Sequence, residues 1–240
     1  MNLVVVMPAY QAARHVRRVL ARVLAVGEPA PSRVVVVNDG SSDGTRAEVL
    51  AAAKDDARVE LVDRERNGGY GAAMKDALHA ARQSDPDVVA CVHADDQYSP
   101  ESLPMLVREL VARRLDVLQG SRIASGAALS GGMPLYKYAA NAVLNRVENR
   151  TLGLSMTDYH SGYLLYGRRA LEALPFAGLS NSFDFDLEVI ASARARGLRI
   201  GEAPVPTHYG DEVSHLEPIT YGFRVLRVMW RYRTGRYDAA

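Results

Sequence analysis

The stretch that decides the fold runs Val88-Val89-Ala90-Cys91-Val92-His93-Ala94-Asp95-Asp96-Gln97-Tyr98-Ser99-Pro100. It begins as an apolar run typical of a buried parallel strand, and that strand ends abruptly in polar side chains. Ser99-Pro100 then predicts a helix start. In open α/β sheets ligands bind beyond the carboxyl ends of strands, and carboxylate, amide and imidazole groups on one turn can hold a divalent cation. The alternative is an acidic turn in which Asp96 or Ser99 caps the helix.

Strands alternate with amphipathic helices through the first half of the chain. The predicted strands are Leu3–Met7, Val34–Asn38, Val59–Val62, Val88–Val92 and Val117–Gly120. The predicted helices are Ala12–Ala25, Gly44–Lys54, Ala72–Arg82 and Pro100–Arg113. This alternation, with apolar strands, predicts an α/β fold with a Rossmann-like, mostly parallel sheet and helices on both faces.

The pattern changes after Arg122, where Ser121–Gly132 is rich in Ser, Gly and Ala and predicts a loop. The elements predicted beyond it are helices at Pro134–Leu154, Phe185–Arg196 and Glu217–Arg233 and strands at Gly162–Tyr166 and Arg199–Val205. We therefore divide the chain into a ligand-binding half (1–122), an acceptor-side half of the same domain (123–215) and a C-terminal amphipathic helix (216–240).

Composition excludes several classes of function. The 240 residues carry 29 Lys and Arg against 28 Asp and Glu, so nothing indicates a nucleic-acid-binding protein. Cys91 is the single cysteine, which rules out a disulfide framework and a cysteine-based zinc site. Met1–Met7 has no basic leader, and no run of about 18 apolar residues occurs. We expect a cytoplasmic protein.

Three further strand ends carry candidate ligand contacts. Asp39 follows four valines, and its carboxylate can accept hydrogen bonds from a base or a ribose, whereas Ser41, Ser42 and Asp43 are expected to serve the turn and the next helix. Pro8 ends the first strand, and the backbone at Ala9 and Tyr10 can lie along a ribose or base.

The third is a helix start at Asn67-Gly68-Gly69-Tyr70-Gly71. Gly68 and Gly69 allow close approach of backbone to a ligand, and the helix N-terminus favours an anion. The dinucleotide fingerprint and the phosphate loop are both missing from their expected places in the sequence.

These segments share their order and spacing with one known family. They are Pro8-Ala9-Tyr10, Val37-Asn38-Asp39-Gly40-Ser41-Ser42-Asp43-Gly44-Thr45, Asn67-Gly68-Gly69-Tyr70-Gly71 and the box of Asp95 and Gln97. The chain resembles family 2 glycosyltransferases of the GT-A fold, in the branch containing dolichyl-phosphate mannose and glucose synthases. The resemblance covers about Leu3 to Ser214.

The resemblance implies roles for individual residues. Asp39 would contact the base of a nucleotide sugar, with Pro8, Ala9, Tyr10, Gly68 and Gly69 also on the donor side. Ala94 and Asp95 would face the donor as well. Asp95 and Gln97 would hold Mg²⁺ or Mn²⁺ against the diphosphate. His93 stands where the family usually has the first Asp of its Asp-x-Asp-x-Gln motif, and it is included as a metal ligand.

Later segments extend the resemblance to the acceptor side. Arg122 resembles arginines that bind phosphate of the donor or lipid acceptor. Asp158, in Thr157-Asp158-Tyr159-His160-Ser161-Gly162-Tyr163, is the first candidate for a catalytic base or acceptor-orienting group, and Asp186 at the acidic helix start is the second. Alternatively, an aspartate in a first helical turn serves only the helix dipole. His208, in a loop without the family's usual arginine, is a further candidate metal ligand.

We therefore expect an inverting, metal-dependent glycosyltransferase that moves a sugar from a UDP- or GDP-linked donor to a polyprenyl phosphate or hydroxyl acceptor. The alternatives are a non-catalytic nucleotide-sugar-binding domain and a sugar-phosphate nucleotidyltransferase, although the latter would want a Gly-rich loop near its N-terminus.

The C-terminal helix carries a separate expectation. Arg224, Arg227 and Arg231 share one helical face, and an apolar stripe of Phe223, Leu226 and Trp230 adjoins it. The pattern is typical of a helix lying peripherally on the inner face of a membrane. Alternatively, the stripe packs onto the sheet and the arginines are solvated.

Overall fold

The computed structural model describes residues 1–124, 126, 135–206 and 218–238, with the backbone alone at 136–139 and 218–219. One mixed sheet of seven strands organises these residues, in the spatial order β3-β2-β1-β4-β6-β5-β7. The strands are β1 (Leu3–Ala9), β2 (Arg33–Asp39), β3 (Val59–Arg64), β4 (Val88–Cys91), β5 (Val117–Ser121), β6 (Leu164–Gly167) and β7 (Ile200–Pro204).

Helices connect these strands. They are α1 (Val16–Leu24), α2 (Thr45–Asp55), α3 (Tyr70–Arg82), α4 (Leu103–Ala112), α5 (Leu135–Leu152), α6 (Arg168–Ala173), α7 (Phe185–Ala195) and α8 (Pro218–Arg233). Short 3₁₀ turns lie at Pro100–Ser102 and Phe176–Gly178. Among the described helices, none is long and apolar enough to cross a membrane.

The core lies in two layers because side chains of a strand point alternately to opposite faces of the sheet. Val4 and Val6 of β1 face one layer, with α3, α7 and α8. Val5 and Met7 face the other, with α1, α2 and α4. Both faces of the central strands are buried, which is why their sequences are nearly continuous runs of valine.

The predicted α/β class is confirmed, and β6 is the departure from a parallel sheet. It runs antiparallel to both β4 and β5. The turn before β6 lies at the carboxyl end of β5, where the Gly120 amide donates to the Tyr163 carbonyl at 2.8 Å. Because the chain enters β6 from that edge, it can only run back across the sheet. The sequence predicted a strand here but not its direction.

Candidate active site

The carboxyl ends of β1, β2, β4 and β5 meet at one edge of the sheet, because these strands point the same way. The loops that follow them carry most of the residues singled out in the sequence. The turn before β6 and the start of α7 add Asp158 and Asp186 from the other half of the chain.

Asp39 ends β2, and its carboxylate is held by the protein itself. Its two oxygens accept hydrogen bonds from the amides of Gly68 (2.9 Å) and Gly69 (3.0 Å), and Arg64 Nε lies 2.8 Å from Oδ1. The backbone at the start of α3 therefore already binds an anion, and that anion is Asp39. Contact between Asp39 and a donor base stays a prediction.

The glycines at the start of α3 are needed for contacts within the chain. Gly69 has φ of +93°, and a Cβ there would lie 2.5 Å from the carbonyl oxygen of Asn181. A Cβ on Gly71 would lie 2.2 Å from the carbonyl oxygen of Ser180. The sequence suggested that these glycines leave room for a ligand, but the segment leading into α7 packs against them. This packing brings the two halves of the site together.

The end of β1 leaves Tyr10 exposed beside buried Ala9, and Pro8 is partly exposed. The following turn is tied to the turn after β2, since the Gln11 amide donates to Ser41 Oγ (3.0 Å). Asp43 accepts from the amides of Ala13 (3.1 Å) and Thr45 (3.0 Å). The turn role expected for Ser41, Ser42 and Asp43 is confirmed, since Gln11 Nε2 also donates to Ser42 Oγ, but Gly44 and not Asp43 occupies the N-cap position of α2. Tyr10 remains available to a ligand.

The turn after β4 separates its two aspartates. Asp96, at φ +65°, pairs with Arg18 (2.6 Å) and with Arg22 of α1. Asp95 Oδ1 accepts from the Gln97 amide at 3.0 Å, and no arginine or lysine among the described residues pairs with it. Asp96 is bound to arginines and does not cap the next helix, whereas Ser99 occupies the N-cap position of the 3₁₀ turn without a capping bond from its side chain.

His93 lies in an aromatic setting behind Asp95. Its ring lies 5.3 Å from that of Tyr70 and 5.7 Å from that of Tyr98, and a Cβ on Gly162 would lie 2.1 Å from Nε2. Burial lowers the pKa of His93 despite the nearby Asp95 carboxylate. The imidazole is therefore neutral at neutral pH, with Nε2 facing the Gly162 backbone.

Asp158 and Arg122 form a buried two-point ion pair. Arg122 Nε lies 2.7 Å from Oδ2 and Nη2 lies 3.0 Å from Oδ1. Burial of Asp158 (0 % exposed) opposes ionisation, but the Arg122 guanidinium and the His160 amide hold the pKa of its carboxyl below the usual value. A carboxylate of low pKa with both oxygens engaged is a poor proton acceptor, so the geometry favours the orienting role over that of base.

Asp186 has the opposite environment. It lies in the first turn of α7, and Oδ2 accepts a hydrogen bond from the Tyr70 hydroxyl at 2.7 Å. Oδ1 is buried with no hydrogen-bond partner among the described residues. Burial raises the pKa of Asp186 to about 7, which the Tyr70 hydrogen bond only partly offsets. This carboxyl can gain or lose a proton near neutral pH, as a general base must.

Tyr70 joins the two regions of the site, and nothing in its local sequence indicates this role. Its ring contacts His93, its hydroxyl contacts Asp186, and its ring also stacks on Phe183 at 6.1 Å. Tyr70 and Asp186 are 116 residues apart, so no local pattern could have revealed the pair. His208 lies outside the described residues.

The arginines of α8 do not form the free basic face that the sequence suggested. Arg224 pairs with Asp184 at 3.2 Å, and Arg231 pairs with Glu188 at 2.6 Å. That expectation is therefore wrong for these two, because α8 packs along the acidic start of α7. Arg227 is exposed. The adjoining stripe is also exposed, at 69 % for Phe223, 50 % for Leu226 and 58 % for Trp230.

Comparison with known proteins gives a matching family and several similar proteins. The profile described as Glycosyl transferase family 2 matches residues 4–174. The low-salt glycan biosynthesis hexosyltransferase of Haloferax volcanii is 33 % identical over 196 residues, which is 81 % of this chain and 45 % of that protein. The chain thus spans less than half the length of this relative.

A second relative is similar over most of both lengths. The UDP-N-acetylglucosamine–dolichyl-phosphate N-acetylglucosaminyltransferase of Methanococcus voltae is 23 % identical over 216 residues, covering 85 % of this chain and 86 % of that one. Among solved structures, glucosyl-3-phosphoglycerate synthase of Mycobacterium tuberculosis, in complex with Mn²⁺, UDP and glucosyl-3-phosphoglycerate, superposes with a TM-score of 0.71. At 18 % identity, over 96 % of this chain and 79 % of that one, this likeness establishes the fold alone.

Proposed function

The chain belongs to glycosyltransferase family 2 and is a glycosyltransferase. From that premise we propose that it transfers a sugar, with inversion at the anomeric carbon, from a UDP- or GDP-linked donor to a polyprenyl phosphate or a hydroxyl acceptor. The donor would lie across residues 1–122 and the acceptor against residues 123–215. Of the relatives, one is named for a UDP-sugar donor and a dolichyl-phosphate acceptor.

One observation supports the proposal most strongly. Asp95 and Asp186 have no arginine or lysine partner among the described residues, and His93 and Tyr70 lie between them. Asp95 follows His93, the His93 ring contacts Tyr70, and Tyr70 donates to Asp186. In a metal-dependent transfer from a nucleotide diphosphate, a negative group holds a cation at the leaving phosphates, and a hydroxyl acceptor needs a second group that takes its proton. The contacts fit those two needs.

The donor set of the Asp95 turn fits Mg²⁺ or Mn²⁺. A carboxylate oxygen and the Gln97 amide oxygen are hard ligands of the kind these cations prefer. Among the described residues no three His, Cys, Asp or Glu side chains cluster as a closed metal cage. Two ligands from the Asp95 turn would leave coordination positions for phosphate oxygens. When bound, the cation would offset the charge that builds on the departing diphosphate.

The residue that would act on the acceptor depends on the acceptor's chemistry. A hydroxyl must lose a proton as it attacks, and Asp186, with a pKa of about 7, is suited to accept it. A phosphate acceptor is already anionic and needs no base. Asp186→Asn should therefore lose most of its rate with an alcohol and keep most of it with a polyprenyl phosphate. Equal loss with both acceptors would contradict this assignment.

We also propose a peripheral membrane contact through α8. Phe223, Leu226 and Trp230 lie on one exposed helical face, and exposed Arg227 adjoins them. Large exposed apolar side chains in a row mark interaction surfaces, and one basic side chain beside them favours an anionic surface. Co-sedimentation with vesicles containing anionic lipid should be lost in Trp230→Ser and retained in Val111→Ser, which removes another exposed apolar side chain. Equal binding by both variants would contradict this contact.

The main experiment follows both donor binding and transfer. Purified protein is mixed with UDP-glucose, UDP-N-acetylglucosamine or GDP-mannose, with Mn²⁺ or with EDTA, and its thermal unfolding is recorded. One donor at about 100 times its Kd should raise Tm by roughly 5–10 °C in Mn²⁺. Mass spectrometry of a short-chain polyprenyl phosphate or an alkyl alcohol then detects the glycosylated product. Turnover that survives excess EDTA would exclude the metal-dependent mechanism, and no transfer with any donor would exclude the proposed function.

A further inference from the structure

Polar side chains on one face of α5 form hydrogen bonds with the turn that carries Asp158. Asn149 Nδ2 donates to the Met156 carbonyl at 2.8 Å, and the Met156 amide donates to Asn149 Oδ1 at 2.8 Å. Asn145, one helical turn earlier, donates to the Thr157 carbonyl. Glu148 lies on the same face and is completely buried. Helix α5 therefore fixes the backbone of this turn at several points.

Glu148 is the acidic residue of this face, and it contacts a histidine. Its Oε2 lies 3.3 Å from Nε2 of His160, whose side chain is almost entirely buried. On the other side of the ring, Nδ1 lies 2.9 Å from the hydroxyl of Tyr221 in α8. The Glu148–His160–Tyr221 row thus links α5, the turn and α8 through the two ring nitrogens of one imidazole.

The backbone of His160 reaches the Arg122–Asp158 pair directly. The His160 amide donates to Asp158 Oδ1 at 3.0 Å, and Arg122 Nη2 donates to the His160 carbonyl at 3.0 Å. Each partner of the ion pair is therefore bonded to the same residue. A displacement of the His160 ring moves the peptide groups that orient both the carboxylate and the guanidinium.

A buried carboxylate is a costly way to join two helices. Apolar side chains of similar size are often as stabilising as a buried ion pair, or more so, because charges lose hydration when they are buried. The Glu148–His160 contact gives something that apolar packing cannot, since Nε2 and the Glu148 oxygens are buried with no hydrogen-bond partner among the described residues, and the position of the carboxyl against Nε2 favours one orientation of the imidazole. That orientation in turn presents Nδ1 to Tyr221.

We propose that Glu148, His160 and Tyr221 are positioning residues for the acceptor, acting through the Arg122–Asp158 pair. The inference rests on the proposed function. It adds that the packing position of α8 influences the geometry of the Arg122–Asp158 pair.

The first test needs no substrate. Hydrogen exchange of the His160 amide and of the Arg122 Nε–H is followed by NMR in wild type, Tyr221→Phe and Glu148→Gln. Both variants should exchange these protons about tenfold faster than wild type, because they weaken local protection without global unfolding. Tyr237→Phe is the matched control, since it removes the hydroxyl of another buried tyrosine that bonds a buried glutamate, at 2.8 Å from Glu188. It should leave both protons unchanged.

The second test measures kinetics with the donor found active in the main experiment. Tyr221→Phe should raise the acceptor KM about fivefold or more, with the donor KM within twofold of wild type and Tm close to that of Tyr237→Phe. Exchange unchanged in both test variants, or accelerated equally in the control, would overturn the positioning role. Faster exchange with an unchanged acceptor KM would also overturn it. If wild type transfers no sugar, the proposed function is wrong, and so is the role in acceptor binding. The hydrogen-exchange result would still show whether Glu148 and Tyr221 influence the Arg122–Asp158 pair.

Discussion

The turn after β4 carries Asp95 and Asp96, and the acceptor side of the site carries Asp158 and Asp186. In each of these two regions one aspartate is paired with arginine and the other is not. In the turn, Asp96 pairs with Arg18 and Arg22, whereas no arginine or lysine of the described chain pairs with Asp95. On the acceptor side, Asp158 forms an ion pair with Arg122, whereas Asp186 accepts a hydrogen bond from the Tyr70 hydroxyl.

Burial alone does not decide what these carboxyl groups can do. Asp158 and Asp186 are both buried, yet the pKa of the first is lowered and that of the second is raised to about 7. The difference is the guanidinium, which stabilises the ionised form beside one and is missing beside the other. In these two regions the arginine keeps its partner carboxylate ionised and held in place, whereas Asp95 and Asp186, with no arginine or lysine partner among the described residues, are the ones proposed to bind a cation or to accept a proton.

The largest expected effect separates the two aspartates of the turn. Asp95→Asn should lower kcat/KM by roughly 10²–10³-fold or more, because the cation at the leaving diphosphate loses an anionic ligand. Asp96→Asn makes the same chemical change at the arginine-paired position, where Asn also tolerates a positive φ. It should lower kcat/KM less than about fivefold. Steady-state kinetics with saturating Mn²⁺ compare them, and equal losses would break the distinction.

The next effect separates the acceptor-side pair by stability. Asp158→Asn leaves the Arg122 guanidinium buried without its countercharge, so it should destabilise the fold by about 3–5 kcal/mol. Asp186→Asn removes a carboxyl that has no such partner and should not destabilise it at neutral pH. Urea unfolding at pH 7 measures both variants. A loss for Asp186→Asn as large as that for Asp158→Asn would contradict the assignment.

A smaller effect concerns pH. Because the pKa of Asp186 is raised to about 7 in the folded state, that state holds its proton more tightly than the unfolded chain does. The group therefore lowers stability progressively as pH rises from about 4 to about 7, and the cost persists above that range. Asp186→Asn should raise Tm by a few degrees at pH 8 relative to wild type and by less at pH 5. A difference in Tm that does not vary with pH would show an ordinary pKa.

The sequence was informative where local chemistry decides the outcome. Valine runs followed by polar turns located the parallel strands and the Asp39 and Asp95 turns, because a buried strand must be apolar and must stop where polar groups begin. Long-range partners were not accessible in this way. The Arg122–Asp158 pair spans 36 residues. The direction of β6 likewise depends on where the chain re-enters the sheet.

The difference between Asp158 and Asp186 is most directly tested by their own titration curves. The side-chain carboxyl ¹³C shifts of both residues are followed by NMR in the wild-type protein, with Asp158→Asn and Asp186→Asn used for assignment. We expect a midpoint near 7 for Asp186, and we expect Asp158 to stay ionised to below the ordinary range of an aspartate. An Asp186 midpoint near 4, or similar curves for the two residues, would contradict it.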